Sequence, residues 1–260
     1  MMHSNQCVVV DIETRPDRFA RMIASEKRVS RSPLLIEVVN ASTLVFTMSP
    51  SGLIDDLALS SYHADDYPET DIVANVALKL RSSIASGGDI VTYNGTRYDL
   101  PLLRLRMLRW WTQSSDDLVS LQDARSHHRD MMVAFPGPLG KAPSLQDCCA
   151  MLGYAIHGPI EVAGTNPVPP QRRKCECDVM GTAILYLYTR AESDGGEALE
   201  ANLRTLGDFL RKNCAGLPHL ARLGSDSLLG QEPGPWRGAA DDAYGTGRPT
   251  RRGRPPKLFG

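Results

Sequence analysis

Short β-branched runs alternate along this chain with stretches whose apolar residues recur every three or four positions, and each change of period marks an element. Cys7-Val8-Val9-Val10-Asp11-Ile12-Glu13 predicts a buried strand whose last residues are acidic. Leu34 to Val39 and Thr43 to Met48 are β-branched and flank Asn40-Ala41-Ser42, a pattern that predicts two antiparallel strands around a turn. Residues 70 to 86, with Ile72, Val73, Val76, Leu80 and Ile84, predict an amphipathic helix stopped by Gly87-Gly88. A strand follows at Asp89 to Tyr93, a turn at Asn94-Gly95, and a helix from Leu100 to Trp111 with Asp99 at its start and Pro101 in its first turn.

The pattern weakens between about 112 and 143, then Ser144-Leu145-Gln146-Asp147 opens a short helix that runs to Leu152 and ends at Gly153. Gly158 to Pro170 has a loop composition. From Cys175 a strong helix with Val179, Ala183, Leu185 and Leu187 continues to about Arg190. One more helix fits Glu197 to Arg211, and 224 to 260 has the Gly, Pro, Ser and charge content of a disordered tail. These elements divide the chain into an α/β domain over 1–190, a helical extension over 191–223 and a tail over 224–260.

Composition narrows the class without naming a chemistry. Of 260 residues 42% are apolar and 23% charged, with 29 basic against 30 acidic side chains, which excludes a disordered, collagen-like or membrane-spanning chain. The six cysteines show no secreted framework and the N-terminus lacks the regions of a signal peptide, so a cytoplasmic protein is expected. Cys148-Cys149 and Cys175-Glu176-Cys177 lack CxxC spacing and read as small buried thiols rather than zinc ligands. The balanced net charge hides a basic end: from Ala243 onward there are Arg248, Arg251, Arg252, Arg254 and Lys257 and no acid.

Three segments each place acids where a strand ends or on a helix: Asp11 with Glu13, Asp99, and Asp178. Asp11 and Glu13 alternate with Ile12, so both point to one face of the strand, and two ionised carboxylates there repel unless a cation or water separates them. Taken singly, Asp11 ends a strand, Asp99 caps a helix, Asp178 is a solvated helix acid, Tyr98 is a core aromatic, and Arg172-Arg173-Lys174 is a solvated basic loop.

Together the segments resemble the DEDD family of 3′–5′ exonucleases, with VVVDIETRP as first motif, VTYNGTRYDLPLLRLRMLR as second and KCECDVMGTAILYLY as most of the third. The chain is most similar to predicted exonucleases related to the proofreading domain of family-B DNA polymerases, over roughly residues 7 to 190. The resemblance implies a ribonuclease H-like fold, a mixed five-stranded sheet flanked by helices. It implies two divalent cations, Mg²⁺ or Mn²⁺, held by Asp11, Glu13, Asp99 and Asp178, with Asp11 bridging both. Ile12, Thr14, Asn94, Gly95 and Tyr98 would lie along the nucleotide, and the expected partner is nucleic acid, single-stranded DNA before RNA, with no membrane.

The family normally places a Tyr four residues, or a His five residues, before the last Asp, to position the attacking water. Lys174 and Arg173 stand there instead, and neither is an ordinary general base at neutral pH. Lys174 orients water or phosphate without taking a proton, or His157 or Tyr154 comes in from the loop, or the protein is a catalytically impaired nuclease-fold module that binds nucleic acid. In the tail, Arg251-Arg252-Gly253-Arg254-Pro255 resembles an AT-hook, whose Arg-Gly-Arg-Pro core lies in the narrow minor groove of A·T-rich duplex DNA.

Overall fold

The computed structural model describes residues 5–24, 32–110, 126–137, 141–156 and 168–224. His157, most of the loop between 158 and 170, and the tail with Arg251, Arg252, Gly253, Arg254 and Pro255 lie outside them. Among the described residues no helix is long and apolar enough to cross a membrane.

Five strands, β1 (Asn5–Pro16), β2 (Ile36–Met48), β3 (Ile54–His63), β4 (Ile90–Thr92) and β5 (His128–Asp130), form one mixed sheet in the order β3-β2-β1-β4-β5. β1 runs antiparallel to β2 and parallel to β4, β2 runs antiparallel to β3, and β4 parallel to β5. Parallel neighbours need crossovers, and the helices that make them cover one face of the sheet, while helices that follow β5 cover the other. On one face α2 (Glu69–Ala85) and α3 (Asp99–Trp110) bury Val8, Val10 and Ile12 with Ile72, Val76, Leu80 and Leu103. On the other, α5 (Leu145–Met151), α6 (Pro170–Asp194) and α7 (Gly196–Lys212) bury Cys7, Val9, Leu44, Phe46 and Val91. The shorter helices are α1 (Arg18–Ile23), α4 (Met131–Ala134) and α8 (Ala221–Gly224). The α/β architecture with a mixed five-stranded sheet flanked by helices is the one the resemblance implied; the residue patterns alone gave β1, β2 and β4 but neither β3 nor β5.

Local chemistry accounts for the boundaries. Gly87, with φ +74°, takes the left-handed position after α2, and Ser144 with Asp147 forms a reciprocal capping box at α5. α6 starts behind Pro169 with Pro170 in its first turn, and from Cys175 to Leu187 every residue except Asp178 is buried, as suits a helix between sheet and outer helices. α7 contributes Leu203, Leu206 and Leu210 to the same core as α6.

Three expectations need correction. The two strands flanking Asn40-Ala41-Ser42 are one continuous β2, whose hairpin partner is β3. Those three residues are fully buried and paired on both sides, Asn40 opposite Glu13 and His63, and Ser42 opposite Asp11 and Ser61. Two flanking strands outweigh a local turn preference. The reversal lies instead at Ser49 to Gly52, where Gly52 N donates to Ser49 O at 2.9 Å. Arg172, Arg173 and Lys174 belong to the first turns of α6 rather than to a loop. Tyr98 is not a core aromatic: it is exposed, with its hydroxyl 2.7 Å from Thr14 Oγ1.

The end of β1 is pinned from the α3 side. Asp17 is fully buried, caps α1 by accepting from Phe19 N (2.8 Å) and Ala20 N (3.0 Å), and accepts from Arg106 Nη1 (2.9 Å) and from Arg109. Arg106 also donates to Ile36 O (2.9 Å) and to Glu69, whose other oxygen accepts from Val38 N (2.8 Å). Burial alone would raise the Asp17 carboxyl, but the Ala20 amide and the Arg106 and Arg109 charges hold it below its ordinary value.

A carboxyl lowered on folding stabilises above its unfolded pKa, and that contribution is lost as pH falls through the folded value. Asp17→Asn should therefore cost about 3–5 kcal/mol at pH 7, the scale for breaking a buried ion pair. In urea unfolding, the gap from the parent protein should narrow only below about pH 4. An unchanged midpoint at pH 7 would refute the role given to this network.

Candidate metal centre

β1 carries Asp11 and Glu13 on the face that Cys7 and Val9 present to α6, while Ile12 turns into the opposite core. The alternation read from the sequence thus holds. Opposite Glu13 the register with β2 skips a residue: Glu13 pairs with Asn40 and Thr14 with Val38. This bulge at Val39 puts Val38 and Ala41 into the same core and bends the strand beside the acids.

α6 brings Asp178 to this face. One ligand oxygen from each of Asp11, Glu13 and Asp178 lies within 4.8 Å of the others, so these three can hold a metal ion. Rotation of α6 is fixed from below. Glu176, with a relative exposure of 1%, accepts from Ser61 Oγ (2.6 Å) and Arg172 Nε (2.8 Å), and His219 Nε2 lies 2.7 Å from its other oxygen. Cys175 Sγ donates to Asp11 O at 3.1 Å and ties the helix to the middle of β1.

Asp99, at the first position of α3, is buried at 3% exposure and is not one of the three grouped ligands, yet its charge acts on Asp11. The loop before it is shaped for close approach. Asn94 takes φ 66°, which Asn tolerates, and a Cβ on Gly95 would stand 2.2 Å from Thr92 Oγ1. Asp130 holds that loop: Oδ1 accepts from Asn94 N (2.8 Å) and Met132 N (3.1 Å), and Oδ2 from Thr96 N (3.0 Å).

Asp130 was missed by the sequence reading. Its signal was an Asp immediately before the apolar Met131-Met132-Val133, an N-cap pattern, and it does cap α4. β5 itself, His128-Arg129-Asp130, carries no apolar residue and could not be read as a strand.

The charges in the cleft are in conflict. Burial pushes the Asp11 carboxyl well above the carboxylate range and the Asp99 and Asp178 charges push it further, while Cys175 and Lys174 pull back without prevailing. Burial raises Asp99 to about 7; backbone groups of Asp99 and Ile12 oppose this, and the Asp130 and Glu13 charges add to it. Asp11 Oδ2 is buried with no hydrogen-bond partner among the described residues. An orphaned carboxylate oxygen beside two more carboxylates fits a hard cation, which prefers oxygen ligands.

Lys174 Nζ donates to Asp178 Oδ2 at 2.8 Å and to Glu13 Oε1. Burial would lower the ammonium's pKa, but Asp178 and Glu13 raise it above the ordinary lysine value, so it remains charged and is no base. Tyr154 does not enter the cleft: it is fully buried with its hydroxyl 3.4 Å from that of Tyr188. Tyr188 is ten residues along α6 from Asp178, roughly 15 Å at the helical rise. Comparison with known proteins finds no matching family model and no curated protein of significant similarity.

If like charges dominate the metal-free cleft, Asp11→Asn should stabilise it. We expect a higher Tm in EDTA at pH 8, by roughly 2–4 °C for each kcal/mol of repulsion relieved in a chain of this size. A lower Tm would mean that Asp11 is a structural acid.

Proposed function

We propose that the protein is a metal-dependent 3′–5′ exonuclease of the DEDD type, with a ribonuclease H-like fold. The observation that carries this reading is the convergence of Asp11, Glu13 and Asp178 from β1 and α6 around an orphaned oxygen, with Asp99 buried alongside. The strand order, antiparallel through β1 to β3 and parallel from β1 to β5, supports the fold assignment.

Asp11, Glu13 and Asp178 would hold Mg²⁺ or Mn²⁺, with Asp99 contributing from the side of α3. A divalent ion supplies a water of lowered pKa and neutralises charge on the phosphate. The chain's own part is to fix the acids on three rigid elements and to shape the nucleotide face. Tyr98, locked to Thr14, and the Asn94–Gly95 loop, held by Asp130, stand beside Asp99 and would orient the terminal nucleotide. A second reading, a module that binds nucleic acid without cutting it, is favoured by Lys174, which sits where a water-positioning Tyr would be expected and engages two of the acids.

End-labelled single-stranded DNA with Mn²⁺ or Mg²⁺ separates the two. Stepwise release of mononucleotides from the 3′ end, abolished by Asp11→Ala, is the expected result. Binding without hydrolysis would establish the second reading, and nicking of circular single strands would point to a different enzyme.

The basic tail is proposed to add duplex affinity through Arg251, Arg252 and Arg254, since each neutralised phosphate releases counterions. Deleting residues 243–260 should lower duplex binding and flatten its salt dependence while sparing metal-dependent cleavage of short single strands. An identical salt slope for both proteins would remove the tail from DNA contact.

A further inference from the structure

We propose that Lys174 is a tethered cation that occupies one of the two cation places in the carboxylate cleft, so that the protein takes up one divalent ion per chain. The inference rests on the metal-site reading above and adds to it the number of ions and the reason for that number.

Lys174 and Asp178 are four residues apart on α6 and so share a helix face; alone, such a pair is an ordinary surface contact of small consequence. Here the same ammonium also donates to Glu13, 161 residues away on β1. One amine thus joins two of the three grouped ligands, across the seam between strand and helix. The side chain is 57% exposed, whereas its acceptors are 19% and 13% exposed, so the stem lies at the surface and the charged head reaches in among the acids. That is the arrangement of a cation delivered from outside.

Asp11 is in the opposite condition. Its Oδ2 is buried and has no hydrogen-bond partner among the described residues, and the neighbouring Asp99 is almost fully buried. The cleft is thereby divided. The Glu13 and Asp178 oxygens that engage Lys174 already have a positive partner in direct contact, and Asp11 Oδ2 has none among the described residues.

Position, rather than the bare sum of charges, gives the same division. With all four carboxylates ionised, as metal binding requires, the ammonium and one divalent ion leave the cleft at −1 and a second divalent ion would leave it at +1. What separates the two cases is that the tethered charge sits on Glu13 and Asp178 and would repel an ion placed next to it. Because the lysine is covalently attached, its share of the neutralisation does not depend on metal concentration, and metal uptake should follow a simple one-site curve.

Titration of the full-length protein with Mn²⁺, followed by electron paramagnetic resonance of the free ion and by calorimetry, tests this directly. The parent protein should bind one Mn²⁺, with affinity at least ten-fold lower in Asp11→Asn. Lys174→Met, which keeps most of the stem and removes the charge, should bind two, and Lys174→Arg should still bind one. Circular dichroism checks that the variants are folded; if Lys174→Met is not, the stoichiometry of the parent protein decides. Two ions in the parent, or one in a folded Lys174→Met, would overturn the inference while leaving the metal site standing. No Mn²⁺ bound by the parent or by Lys174→Met would instead overturn the metal site, and this inference with it.

Discussion

Like-charge repulsion among Asp11, Glu13, Asp99 and Asp178 is the interaction around which this end of the sheet is built. None of the four elements of packing that bring them together is weak: β1 is central in the sheet, α3 and α6 are buried against its two faces, and Glu176 fixes the rotation of α6. The acids are held close because the apolar core on both faces stabilises the fold far more than their repulsion destabilises it. Asp17, Arg106 and Glu69 act on the same problem from behind, since they anchor the chain just past the end of β1 and add to the ladder with β2 that runs to Pro16.

The cleft also has a division of labour between side chains that meet the solvent and side chains that hold the backbone. Lys174 supplies charge directly to Glu13 and Asp178. Asp130 and Thr92 hold the backbone N–H groups of Asn94 and Gly95 in their loop, and Tyr98 meets the hydroxyl of Thr14 on β1. A site whose supporting contacts are this complete keeps its acids in place before any ligand arrives, and preorganisation of that kind is what a cation site requires.

The sequence disclosed the parts of this arrangement that carry a period or a motif. Alternation around Ile12 predicted the common face of Asp11 and Glu13, and the helices of Ile72, Leu103 and Val179 followed from their spacing. What it concealed depends on partners distant in the chain. Asn40-Ala41-Ser42 has turn chemistry locally and lies mid-strand because β1 and β3 pair on both sides of it. His128-Arg129-Asp130 is a strand only through its ladder with β4, and Asp130 acquires its role from the Asn94 loop 36 residues earlier. Lys174 was noticed as a departure from a family pattern, but its contact with Glu13 required the packing of α6 on β1.

The central claim is that the acids of β1 and α6 form a cation site centred on Asp11. A crystal of the full-length protein grown with Mn²⁺ and measured near the manganese absorption edge tests it most directly. The account predicts an anomalous peak within coordination distance of Asp11 Oδ2, with Glu13 or Asp178 as a further ligand and Lys174 still on its carboxylates. Ordered carboxylates with no peak at Asp11, or manganese bound only elsewhere on the surface, would contradict it.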